Sequence, residues 1–191
     1  MELNEVIKER RSTREFSNQL VEKEDVLKII ESARLAPSAA NRQPWQFLIL
    51  EGKIKDDVAD IMEKYLNRER KLLDSRVYAT KKYRPTSSLN GSLNVIRTAP
   101  ILILVIRKKQ KEWLEGDYLS IGAAIENMCL TGTDLGIASL WIRDVVYVRN
   151  KIIKFLKYDD FELVCGLSIG YSKEFPYERK KKKIEDIMKW V

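Results

Sequence analysis

The 191-residue chain contains no histidine. This removes the commonest general base, the Ser-His and Cys-His nucleophile pairs and the commonest metal ligand together. An enzyme built from this sequence therefore leans on a bound cofactor rather than on a side-chain relay. Cysteine is scarce. Cys129 and Cys165 both lie in apolar segments without CxxC spacing, which reads as small buried hydrophobes rather than as a disulfide or metal ligands. No apolar run approaches the ~18 residues of a membrane span. The opening Met1-Glu2-Leu3-Asn4-Glu5 lacks the basic-then-apolar pattern of a secretion signal, so a cytoplasmic protein with no membrane partner is expected. No GxGxxG or GxxxxGK[ST] follows a strand pattern, which excludes the Rossmann and P-loop readings on their own motifs.

What is present is ordinary for a globular chain, at 45% hydrophobic and 33% charged residues. The length suits one domain, residues 1–191, with a core large enough to need no staples. The net charge of +7 is uneven. Glu63–Arg84 holds eight basic and three acidic residues (+5), and Glu178–Val191 holds six and three (+3). Such patches suit an anionic cofactor or nucleic acid, or are simply solvated surface.

Apolar spacing predicts helices over Glu24–Leu35 and Ile54–Leu66 and a long helix over Tyr118–Leu135, closed by Gly136. Short β-rich runs predict strands at Gln46–Glu51, Ile101–Ile106, Ile137–Ile142 and Leu163–Ile169. Residues 67–97 carry the least pattern and read as an insertion or lid over a site. Pro37 and Pro44 bound a loop with few ways to become regular. Trp45, Phe47 and Ile49 alternate as one face of the strand that follows.

The densest motif is Arg10-Arg11-Ser12-Thr13-Arg14-Glu15-Phe16. Arginine presents a fixed, always-charged fork that matches phosphate oxygens in pairs. The alternative for Arg11 and Arg14 is a surface ion pair with Glu9 or Glu15. A second polar stretch, Ala36-Pro37-Ser38-Ala39-Ala40-Asn41-Arg42-Gln43-Pro44-Trp45, and a third, Arg179-Lys180-Lys181, complete three separated grips.

These landmarks, in order, resemble the FMN-dependent nitroreductase family. The resemblance rests on Arg10-Arg11-Ser12-x-Arg14-x-Phe16 and Ala36-Pro37-Ser38-x-x-Asn41-x-Gln43-Pro44-Trp45-x-Phe47. Downstream it rests on Asp117, Ala123-Ala124-x-Glu126-Asn127, Gly136–Ile142, Gly170-Tyr171 and Arg179-x-Lys181. It spans the chain apart from residues 67–97. It implies an α+β fold with a mixed central β-sheet flanked by helices, and an intertwined homodimer packed through long central helices. The cofactor it implies is FMN, with NADH or NADPH as donor and a small-molecule acceptor such as a nitroaromatic, quinone, enone or free flavin.

The resemblance also implies residue roles. Arg10, Ser12, Arg179 and Lys181 would hold the phosphate, with Arg11 beside them, and Arg14 would face the flavin's N1–C2=O edge. Pro37, Ser38 and Asn41 would reach the partner's flavin, while Gln43 either contacts it or braces the loop. Ser139, Leu140, Trp141 and Ile142, with Arg143 after them, would run beside N5 and offer it a backbone N–H. Trp141 either stacks near the flavin or plugs the core. No catalytic side chain is implied. Flavin fragmentation and reductive dehalogenation are the alternative activities within the fold. The alternative from another class is a basic nucleic-acid-binding protein using Lys64–Arg84 and Arg179–Lys183. No nucleic-acid-binding signature accompanies those runs, so no nucleic-acid partner is expected.

Overall fold

A computed structural model describes residues 1–74, 85–110, 112–174, 177 and 179–191, apart from the side chains of 69–74 and 85–88. Four strands form the sheet, β1 (Gln46–Glu51), β2 (Ile101–Lys108), β3 (Ala138–Ile142) and β4 (Phe161–Gly170), in the order β1-β2-β4-β3. All three ladders are antiparallel. Among the described residues, parallel pairing is confined to an isolated bridge between Ser12 and Ser139.

Central β2 is buried along Ile101–Arg107. A strand covered on both faces reads as a continuous apolar run, which is why Ile101–Ile106 carries no alternation. Helices α3 (Gly52–Asp74), α4 (Pro85–Thr98) and α6 (Arg149–Leu156) share one face of the core with Leu102, Leu104 and Ile106. Helices α2 (Lys23–Arg34) and α5 (Leu114–Asp134) share the other with Ile101, Ile103 and Val105. A short α1 (Leu3–Glu9) precedes them, buried only at Val6. Asn127 ties α5 to α2 by donating from Nδ2 to the Ser32 carbonyl at 3.0 Å.

The strand positions match those read from the sequence, and α2 and α5 agree to within a few residues. Helix α3 is longer than Ile54–Leu66 because its amphipathic pattern continues into the basic stretch. The unpatterned 67–97 stretch includes the end of α3 and most of α4. Leu89, Leu93, Val95 and Ile96 bury that helix into the core. Residues 75–84 of the expected lid lie outside the described residues. The Pro37–Pro44 loop contains one 3₁₀ turn, Ala39–Asn41.

Two glycines shape the chain near the candidate site. Gly136, at φ +74°, ends α5: its N–H donates to the Thr133 carbonyl (3.0 Å) and that of Ile137 to the Gly132 carbonyl (2.7 Å). This paired closure is the Schellman arrangement, and it turns the chain straight into β3. Gly170 permits a close crossing, because a Cβ there would lie 2.6 Å from Pro100 and 2.9 Å from Phe16. Phe16 is thereby seated over the end of β4, where it bridges to Ser172, and Ser17 N–H donates to the Tyr171 carbonyl at 2.8 Å. Residues 12–17 thus run between β3 and the segment leaving β4. This crossing brings the two ends of the chain together.

Candidate functional site

Helix α1 stops at Glu9, and Arg10 leaves it in extended backbone (φ −53°, ψ 123°). The next residues are held by main chain: Thr13 N–H donates to the Ser139 carbonyl at 2.9 Å. With its start anchored on β3 and its end on Ser172, the Arg10–Phe16 segment has little freedom, and its arginines project from a fixed backbone.

They project around a cavity of about 840 Å³. Arg10, Arg11, Ser12 and Arg14 line it from the first grip, and Arg179 and Lys181 line it from the third. Six basic residues and three carboxylates (Glu9, Glu15 and Glu174) surround the space, a net charge of +3. Like charges gathered around an opening, without enough carboxylates to neutralise them, give it a positive potential that favours an anion. Arg10 is braced from one side by Glu126 of α5, Nε to Oε1 at 3.4 Å. Arg14 donates to the Ser12 carbonyl at 3.3 Å. Arg11 donates to the carbonyls of Lys8 and Arg10, so it closes the C-terminal end of α1 as well as lining the cavity. Among the described residues none of these arginines pairs with Glu9 or Glu15, the alternative that their spacing left open.

Ser139, Leu140, Trp141 and Ile142 do not line the cavity. They reach its edge through the Ser12–Ser139 bridge at the start of β3. Leu140 and Ile142 send their side chains into the core, so only their backbone is available to a ligand. Trp141 points outward and is 45% exposed, which answers its two readings in favour of the exterior. Trp45 is half-buried against the α2–α5 side of the core with Phe47, while Ile49 is exposed.

Pro37, Ser38 and Asn41 are not brought to the cavity within one protomer. Their loop packs on the first turns of α5. Ala39 N–H donates to Ser120 Oγ at 3.1 Å, and Ser38 Oγ accepts from Gln43 N–H at 3.0 Å. Gln43 Nε2 also donates to Asn41 Oδ1 at 3.3 Å, which favours bracing as its role. Beneath the loop lies buried Asp117, which accepts from Arg42, Arg107 and Gln110 at 3.4, 3.4 and 3.1 Å. Arg107 continues to Glu162 at 2.8 Å. A buried carboxylate survives only when paired and hydrogen-bonded, and here both conditions are met.

The two cysteines are buried, and burial pushes both thiols up, Cys165 to about 12. Among the described residues no three His, Cys, Asp or Glu side chains are grouped to hold a metal, and no helix is long and apolar enough to cross a membrane.

The family comparison decides what this arrangement belongs to: the model of the Nitroreductase family matches residues 7–171. The chain belongs to the nitroreductase family. It is 28% identical over 195 residues to a 4-nitrobenzoate reductase of Pseudomonas putida, with 88% of this chain and 85% of that protein covered. The crystal structure of a BluB-like flavoprotein from Clostridium difficile 630 superposes with a TM-score of 0.82 at 26% identity, covering 100% of this chain and 99% of that one. An FMN and NADPH-dependent nitroreductase from Sphigopyxis sp. strain HMH gives a TM-score of 0.81 at 19% identity, covering 100% and 99%, a likeness of fold.

Sequence reasoning did not foresee several parts of this nitroreductase-family site. Glu126 was visible only as a motif letter, since its pairing with Arg10 depends on α5 passing beneath the first grip. Ser172 and Tyr177 line the cavity with no local signal at all. Trp113, whose ring lies under the Arg42 guanidinium at 5.5 Å, sits in a segment without pattern.

Proposed function

We propose that this protein is an FMN-dependent NAD(P)H oxidoreductase whose cofactor phosphate is held in the Arg10–Lys181 cavity. The observation that carries the reading is the convergence of Arg10, Ser12 and Arg14 with Arg179 and Lys181 around one space, although more than 160 residues of chain separate them. The donor set fits the group: guanidinium forks and a hydroxyl are the partners a phosphate requires, each charge-assisted bond contributing about 1.5–3 kcal/mol. Arg14 places a cation on the way from this cradle toward β3, where it would stabilise negative charge at the flavin's N1–C2=O edge. The backbone of Ser139–Ile142, continued to Arg143, offers N–H groups for N5. Bound here, FMN supplies two-step hydride exchange between NADH or NADPH and a nitroaromatic, quinone or similar acceptor. The chain's own contribution is binding, orientation and electrostatics, in keeping with its missing histidine.

Pro37, Ser38 and Asn41 would complete the site from a second copy in a homodimer. Their distance from the cavity in one protomer supports this, as does the apolar surface left uncovered. Leu119 on α5, Leu27 on α2, and Ile187 and Trp190 in the C-terminal segment are all exposed, a collection larger than an isolated protomer needs to show water. We read residues 1–191 as one FMN-binding domain.

The test is purification without added cofactor, followed by visible spectroscopy and addition of NADH or NADPH under argon. A yellow dimer whose flavin absorbance bleaches is the expected result. A colourless protein that also refuses added FMN overturns the assignment.

A further inference from the structure

Backbone strain in this protein is concentrated in one patch. Five non-glycine residues among those described have positive φ. Lys157 (+61°) closes α6, where a left-handed residue is ordinary. The other four are Ala40 (+50°), Asn41 (+53°), Gln43 (+47°) and Trp113 (+64°). Left-handed backbone at a residue bearing a Cβ is unfavourable and persists only where the surroundings over-determine it, which is characteristic of ligand-binding positions.

The surroundings here do over-determine it. Trp113 lies some 70 residues beyond the loop in sequence, yet Arg42 joins the two, its guanidinium 5.5 Å from the Trp113 ring centroid. Arg42 is itself fixed by buried Asp117. A second strut runs from Ala39 N–H to Ser120 Oγ, which in turn donates to the Gly116 carbonyl at 2.6 Å. Gly116 lets the loop approach closely, since a Cβ there would meet the Ala39 Cβ at 3.2 Å. For all this anchoring, Trp113 remains 55% exposed. A tryptophan pinned from behind and open in front contributes little to the core. It is a rigid aromatic face with few torsions to freeze, suited to stacking on a flat ligand.

We infer that Trp113 selects the electron acceptor, its indole stacking on an aromatic acceptor at the flavin faced by the Pro37–Asn41 loop. The inference rests on the oxidoreductase reading and on that loop serving the flavin of the second copy. What it adds is the residue: Trp113 supplies the stacking face that favours a ring-bearing acceptor over one with no ring to stack.

The test compares nitrobenzene with ferricyanide, a non-aromatic acceptor, on the full-length FMN-loaded wild type and on W113A, W113F and W113L, with saturating NADH or NADPH. Loss of one stacked aromatic face corresponds to about a tenfold change. The ratio of kcat/KM for nitrobenzene to that for ferricyanide is therefore expected to fall about tenfold in W113A and W113L, mostly through KM for nitrobenzene. W113F is expected to recover most of it. Should W113A not fold, the contrast between W113F and W113L decides the question, because both keep apolar bulk and only one keeps a ring. A ratio within twofold of wild type in W113L, with the wild type active, overturns the role of Trp113 alone. A wild type that holds no FMN and reduces neither acceptor overturns the oxidoreductase reading and this one with it.

Discussion

Two arginine clusters lie on this chain, and they are built on opposite principles. Around Asp117 the charges are buried and answered: Arg107 meets both Asp117 and Glu162, and Arg42 meets Asp117 while covering the Trp113 ring. Around the 840 Å³ cavity the charges are gathered but not answered. Glu126 braces Arg10 there, yet among the described residues Arg14, Arg179 and Lys181 have no ion-pair partner. The first cluster finds its counter-charges within the protein, although Arg107 Nε is left without a hydrogen-bond partner, and it positions a strained loop. The second keeps an excess of positive charge that the protein does not neutralise. Arginine content alone does not distinguish a structural site from a binding site. The number of carboxylates folded in beside it does.

The contrast is sharpest at Asp117. Removing it by D117A leaves Arg107 buried with a lost partner, and breaking a buried pair in this way costs about 3–5 kcal/mol. Urea unfolding is expected to register that loss, and a change under about 1 kcal/mol would mean that the cluster is not a unit. In the cavity the expected signs reverse. R10A removes a like charge from a crowded group and should move the urea midpoint little, because its ion pair with Glu126 is partly exposed. FMN affinity, followed by flavin fluorescence, should instead weaken about ten- to hundredfold, as loss of a charge-assisted phosphate bond implies. K182A should stay within about twofold; equal losses in the two variants would remove the phosphate assignment.

A smaller effect lies in the interior. Burial holds the Cys165 thiol up to about 12, against an ordinary value of 9.0. Above pH 9 the unfolded chain releases this proton while the folded chain keeps it, so the unfolded state binds fewer protons and stability falls as pH rises. The contribution of Cys165 to this loss should reach about 1.4 kcal/mol by pH 10; C165A should lose stability by that much less than wild type between pH 8 and 10, keeping the part due to buried Cys129, with paired urea titrations as the measure. E126Q is expected to have a smaller effect than R10A. Its carboxylate is half-exposed, and a pair of this kind contributes about 0–1 kcal/mol, so FMN affinity should change less than fivefold. A larger change would move Glu126 from a brace to an essential part of the cradle.

Much of this was legible in the residues. The strands could be read because buried β-rich runs of five to ten residues are distinctive, and α5 could be delimited because Gly136 marks its end. Helix α4 could not, since Pro85–Asn94 is polar and rich in serine, and its burial depends on Leu89, Leu93 and Ile96 meeting α3 and the sheet. The arginines and the serine of the cradle were legible as types. Their pairing with Arg179 and Lys181 followed only from family resemblance, because no local rule connects position 10 to position 181.

The sequence by itself determined the strands and most of the helices, the absence of a histidine relay, and the kinds of side chain gathered at the cavity. These depend on local periodicity and on residue chemistry, which need no partner to be read. Tertiary structure alone decided which arginines are answered. It brought Asp117 under Arg42 and Arg107, seated Phe16 over Gly170 so that the two ends of the chain meet, and left Trp113 exposed beside a strained loop. Those outcomes depend on which distant groups come within a few ångströms of one another. Charge and hydrogen bonding act over that range, and sequence spacing does not report it.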